Sequence, residues 1–179
     1  MIIALAGRRI DAADAPSQRF PLPNVPLVER RLGELFEREA ATALVGSAAC
    51  GADLVAASAA GKRGIRRRVV LPFGRDRFRE TSVTDRPGDW GPLYDRVLTE
   101  LDARGDVVTL DGLGEDNDAY VAANGAILDE AAALARASGT DVLAVLVWEG
   151  APREGDDVTA AFGAEARRRG WRVEEVGTL

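Results

Sequence analysis

Short apolar runs alternate with helically spaced apolar stripes along the whole of this chain. The runs are Ile2 to Ala6, Ala43 to Val45, Val69 to Leu71, Val107 to Leu110, Val142 to Trp148 and Val173 to Val176. Strands buried on both faces are apolar at nearly every position rather than at alternate ones, so these read as strands of a parallel sheet covered on both sides. Between them, Val28, Leu32, Leu35 and Phe36 form one helical stripe. Leu93, Val97, Leu98 and Leu101 form a second, and Tyr120, Ile127, Ala131 and Leu134 a third. An alanine-rich stretch from about Asp157 to Arg169, stopped by Gly170, predicts the last helix. This alternation predicts an α/β fold, Rossmann-like and doubly wound, with a mostly parallel sheet of about six strands and helices on both faces.

Two stretches break the pattern. Asp11 to Pro26 carries four prolines and predicts an extended excursion after the first strand. Phe73 to Pro92 is rich in arginine and aspartate and predicts a second long loop. A length of 179 residues, without repeat or linker, predicts a single domain over 1–179.

Charge and composition narrow the chemistry. The net charge of −6 argues against a nucleic-acid backbone as the main partner, since phosphate-tracking surfaces need a net basic stripe. The runs Arg66-Arg67-Arg68 and Arg167-Arg168-Arg169 cannot each share one helix face and read as solvated edges. The chain has no histidine, which excludes Ser-His-Asp and Cys-His pairs and zinc sites of the HExxH type. Neither a metal nor a cofactor is expected, and a general acid or base has to be a carboxylate, a tyrosine, a lysine or the lone thiol. Cys50 cannot form an internal disulfide, the chain opens directly into an apolar strand, and no apolar run approaches the ~20 residues needed to span a bilayer. A cytoplasmic protein, not a membrane one, is the expectation.

In open α/β sheets ligands bind beyond the carboxyl ends of the strands, so the residues after each strand carry the functional reading. Gly7-Arg8-Arg9 follows the first: the glycine permits close backbone approach and the arginines offer planar forks for phosphate or carboxylate. Gly46-Ser47-Ala48-Ala49-Cys50-Gly51-Ala52-Asp53 follows the second and leads into an alanine-rich helix. Its small side chains expose backbone amides at a helix start, where anions are favoured. Asp53 there is either a helix cap or a contact to a ligand hydroxyl. Cys50 reads as a small packing residue. Pro72 and Phe73 follow the third strand. Asn124, one turn beyond Tyr120, lies on the buried stripe of its helix and either joins an internal network or, with Tyr120, meets a ligand. Trp148-Glu149-Gly150 leaves the fifth strand, with Gly155, Asp157 and Thr159 beyond it, as a corner for ribose and phosphate or as a plain helix cap at Asp157.

Taken in order, these segments resemble the SLOG branch of the superfamily that also holds the DprA/Smf proteins and the LOG-type phosphoribohydrolases. The likeness covers nearly the whole chain and includes Phe78, Ser82-Val83 and Trp90 besides the exits above. It implies a Rossmann-like domain that binds a nucleotide or nucleotide-derived signal, acting as a sensor beside an effector protein. It also implies pairing into a homodimer through helices. LOG-type enzymes carry a P-G-G-x-G-T-x-x-E loop; here Arg153-Glu154-Gly155-Asp156-Asp157-Val158-Thr159 retains only Gly155 and Thr159, and two aspartates face the phosphate position.

The reading is therefore a ligand-binding module rather than an enzyme. Gly46 to Gly51 and Arg8 or Arg9 would take the phosphate, and Asp53 or Glu149 the ribose hydroxyls. Two alternatives remain open. One is an N-glycosidase or nucleotide hydrolase in which Glu149 or Asp53 serves as the catalytic carboxylate. The other is an interaction domain with a degenerate pocket.

Overall fold

A computed structural model describes every residue except Asp111, Leu113, Glu115 and Asp116. The chain runs β1 (Ile2–Gly7), α1 (Val25–Arg38), β2 (Ala43–Gly46), α2 (Ala52–Lys62), β3 (Arg66–Leu71), α3 (Arg75–Ser82) and α4 (Gly91–Asp102). It continues through β4 (Val107–Thr109), α5 (Asn117–Ser138), β5 (Val142–Trp148), α6 (Val158–Arg168) and β6 (Arg172–Gly177). Among the described residues the strands form one six-stranded sheet in the order β4-β3-β2-β1-β5-β6, parallel at every pairing.

The central strands are apolar throughout because both faces are covered. In β1, Ile3 and Leu5 pack under α1 and α2, whereas Ile2, Ala4 and Ala6 pack under α5 and α6. All seven residues of β5 are buried. The α1 stripe of Val28, Leu32, Leu35 and Phe36 faces the first of these layers, and Ile127 and Ala131 of α5 face the second. This is the Rossmann-like arrangement expected from the sequence.

One expectation fails. The segment 73–92 is not a continuous loop, because α3 spans Arg75–Ser82. Its composition hid it: only Phe78 and Ser82, one turn apart, are buried, and the remaining positions are charged or polar. The first excursion is as expected up to a short 3-10 turn at Leu22–Asn24 that leads into α1.

The order of strands places the site. From β1 the sheet grows in one direction through β2, β3 and β4, then α5 carries the chain back across the other face to β5, on the opposite side of β1. The reversal therefore lies between β1 and β5. The connections that leave their carboxyl ends run to α1 on one face and to α6 on the other, the usual place for a ligand crevice.

Candidate functional site

Two close backbone approaches shape the crevice. At Gly7 a side chain would meet the Ala52 Cβ at 2.5 Å and the Val147 carbonyl at 2.6 Å, so only glycine lets β1 leave the sheet between β5 and α2. Gly51 has φ +106°, and a Cβ there would lie 2.7 Å from the Arg8 carbonyl. The two segments are stitched together: the Ile10 amide donates to the Cys50 carbonyl at 3.3 Å, and the Ala52 amide donates to the Arg8 carbonyl at 3.0 Å.

Between these segments and α5 lies a cavity of about 100 Å³. Leu5, Ala6 and Gly7 of β1 form part of its wall, with Ala123 and Ile127 of α5 and Val158 of α6 supplying further apolar surface. The polar groups are Arg9, Ser47, Asp53, Tyr120, Asn124, Arg153 and Thr159. Three of them are positioned by specific contacts. Phe73 meets Tyr120 edge to face at 5.9 Å, and the Tyr120 hydroxyl lies 2.9 Å from Ser82 Oγ. Asn124 Nδ2 donates to the Val158 carbonyl at 2.8 Å, tying α5 to the start of α6. Arg9 donates to Asp85 and lies 3.8 Å from Cys50 Sγ.

Asp53 is the chemically distinctive group. Its Oδ2 accepts from the Ala49 amide at 3.1 Å, which folds the Gly46–Gly51 segment back onto α2. The residue is not the N-cap of α2, a position held by Gly51. Burial raises its pKa to about 7, against the lowering effects of the Ala49 amide and of Arg9. A carboxyl that lines a cavity and exchanges its proton near neutrality can donate or accept a hydrogen bond as conditions require.

A second cavity, of about 250 Å³, opens beside the first and shares Arg9 and Arg153 with it. Arg8, Arg19 and Arg86 also line this outer space, with Asp11 and Ser17. Asp11 is committed to structure, accepting from the Arg19 and Phe20 amides.

Expected residues divide accordingly. Gly7, Arg9, Ser47, Ala49, Asp53, Tyr120, Asn124 and Thr159 come together around the inner cavity. Cys50, Gly51, Pro72, Phe73, Trp148, Glu149, Gly150 and Gly155 lie outside its lining, and Gly46 borders a separate void of about 10 Å³ beneath it. Burial pushes the Cys50 thiol up despite Arg9, consistent with a packing role.

The expected phosphate and ribose contacts change most. The amides of Ala49 and Cys50 are already bonded, to Asp53 Oδ2 and to the Ser82 carbonyl, and so are not an open anion cradle. Arg8 is 1% exposed and spends its guanidinium on Glu149, Asp157 and the Ala151 carbonyl, with Trp148 under it at 5.5 Å. Glu149 receives Arg8 and Arg19 together. Burial pushes its pKa up, but donation by the two arginines outweighs this and holds it below the usual carboxylate range. Asp157 caps α6 by accepting from the Thr159 and Ala160 amides at 2.9 and 3.1 Å, and Arg8 keeps it ionised against the effect of burial.

Sequence reasoning passed over Arg19, Arg86 and Arg153 as ligand groups. The available signal was their place in loops that follow or face strand exits. Arg153 stands out: among the described residues its guanidinium makes no hydrogen bond and no ion pair, although its backbone amide donates to Asp157 Oδ2 at 2.7 Å. The residue is exposed, and partial desolvation with the nearby charges of Arg8 and Arg19 lowers its pKa from the ordinary arginine value.

No family model matches the chain, and no curated protein matches it. Among solved structures it is similar to the X-ray structure of DNA processing protein A (DprA) from Streptococcus pneumoniae. Identity is 16% over 98% of this chain, with a TM-score of 0.42. The chain spans 58% of the length of that DprA chain. Among the described residues no helix is long and apolar enough to cross a membrane.

Proposed function

We propose that this domain binds a nucleotide or a nucleotide-derived small molecule in the crevice at the carboxyl end of β1, bordered by α2, α5 and the start of α6. The observation that carries the proposal is the inner cavity itself. It lies at the carboxyl end of β1, the strand at which the order reverses, has apolar walls, and gathers Asp53 from α2, Tyr120 and Asn124 from α5 and Thr159 from α6. A flat heterocycle suits the apolar part, and the few convergent polar groups suit its edge or an attached ribose. Asp53 takes the role of hydroxyl acceptor that the sequence divided between it and Glu149, because Glu149 is saturated by arginines.

Calorimetry of the intact protein against nucleosides, nucleoside mono- and diphosphates, cyclic dinucleotides and a single-stranded oligonucleotide tests the reading. At least one small nucleotide should bind, and Asn124→Leu should weaken it at least tenfold while the protein stays folded. Heat uptake or release by none of the small compounds refutes it. Saturation by the oligonucleotide alone would replace it with a strand-binding function, which the net charge of −6 disfavours.

One observation favours a second reading, hydrolysis of an N-glycosidic bond. Asp53 titrates near 7 in a cavity without histidine, the condition for a carboxyl to manage a proton at neutral pH. In that reaction water adds to the anomeric carbon, the C–N bond breaks, and the base leaves with a proton. Free base released from nucleoside monophosphates by the parent protein, and lost in Asp53→Asn, would establish it. Intact substrate after long incubation leaves the domain a binder.

A further inference from the structure

We infer that the outer, arginine-lined cavity is an anion subsite, so that the crevice takes a bipartite ligand: a small apolar head inside and a phosphate-bearing tail outside. This deepens the nucleotide reading and rests on it for the head group only. The size of the two spaces argues for joint use. The inner cavity is about 100 Å³ and the outer about 250 Å³, and together they just enter the ~300–1,000 Å³ range of small-molecule sites. They are neighbours, with Arg9 and Arg153 lining both.

The charge arrangement argues for the tail. Five arginines, Arg8, Arg9, Arg19, Arg86 and Arg153, line the outer cavity of a protein whose net charge is −6. Protein carboxylates neutralise four of them: Glu149 and Asp157 hold Arg8, Glu149 holds Arg19, and Asp85 holds Arg9 and Arg86. Arg153 is left over among the described residues. A cation held beside Arg8 and Arg19 without a partner of its own is stabilised by whatever negative group arrives. A guanidinium fork matches two oxygens of one phosphate. Its neighbours Glu154 and Asp156 are both exposed and form no ion pair with it. The anion thus sits over Arg153 and Arg9, away from the start of α2, where the amides of Ala49 and Cys50 are already occupied.

Arg153 suits the test because among the described residues its side chain makes no hydrogen bond and no ion pair, and Arg153→Ala keeps the amide bond to Asp157. Inorganic pyrophosphate is titrated into the intact protein at low salt, beside adenosine and ADP. Pyrophosphate should bind the parent protein, and Arg153→Ala should weaken it about tenfold, with Arg153→Lys between the two. Adenosine, which carries no phosphate, should lose less affinity than pyrophosphate on Arg153→Ala, because Arg153 only borders the inner cavity. Pyrophosphate that fails to bind, or binds Arg153→Ala as tightly as the parent, overturns the subsite. The two readings fail separately. Pyrophosphate binding that depends on Arg153, with no response to adenosine or ADP, keeps the anion subsite and removes the nucleotide. ADP binding indifferent to Arg153 does the reverse.

Discussion

Arg8 and Glu149 meet as a two-pronged pair, Nε to Oε2 at 2.6 Å and Nη2 to Oε1 at 3.2 Å, across 141 positions of sequence. The pair welds the exit of β1 to the exit of β5, the two strands between which the order of the sheet reverses. Its guanidinium is buried, and Asp157 completes its set of partners. Removing a buried charge leaves its counter-charges unpaired in a poorly solvated place. Arg8→Ala should therefore cost about 3–5 kcal/mol of stability by urea denaturation. A loss under about 1 kcal/mol would mean that the network is not holding the strand exits together.

Asp53 predicts a pH dependence of opposite sense to most carboxylates. Its folded pKa, about 7, lies above the unfolded value of about 3.9. Below the unfolded value both states are protonated and nothing is lost. As pH rises towards 7 the unfolded chain gives up the proton first, so stability falls across that interval and levels off above it. Asp53→Asn keeps an oxygen for the Ala49 amide and removes the titration. It should gain about 2–4 kcal/mol over the parent at pH 8 and nothing at pH 4. A stability difference flat from pH 4 to pH 8 would contradict the burial of this carboxyl.

Asp157 works in the other direction. Arg8 and the α6 amides hold its pKa down, so its contribution is complete above the unfolded carboxylate range and is lost as pH falls through the folded value. Asp157→Ala removes the cap and one of the two carboxylates that hold Arg8, and should cost about 2–4 kcal/mol at pH 7. Hydrogen exchange at the Thr159 and Ala160 amides should accelerate in this variant. Unchanged protection there would show that α6 does not depend on its cap.

Gly51→Ala places a Cβ 2.7 Å from the Arg8 carbonyl and 2.8 Å from the Ile10 amide, at a φ of +106°. Backbone lines both contacts, so neither yields cheaply. A loss of about 2 kcal/mol or more is expected from strain of this kind. Calorimetric melting of the variant measures it, and a midpoint equal to the parent's would refute the stitch between residues 8–10 and 50–52.

The sheet was legible because burial on both faces leaves an unambiguous trace. Val142 to Trp148 is apolar at all seven positions and is fully buried. α3 was not, since its single buried aromatic, Phe78, gives no period to detect. At the site, Asp53, Asn124 and Tyr120 could be read from helical spacing beside a strand exit. The fates of Arg8 and Glu149 could not. Both have the chemistry of ligand groups, and only the fold brings them close enough to satisfy each other. Arg153 was obscured in the opposite way, because the acidic residues beside it in sequence suggest a partner that the fold does not supply.

The segment that bears Arg153 is pinned at both ends. Arg8 Nη2 donates to the Ala151 carbonyl at 2.8 Å, and the Arg153 amide donates to Asp157 Oδ2 at 2.7 Å. A wall fastened in this manner cannot swing outward unless α6 also gives up its cap. The mouth of the crevice is accordingly a fixed frame, and a small molecule should enter it in one kinetic phase, without a slow closing step afterwards.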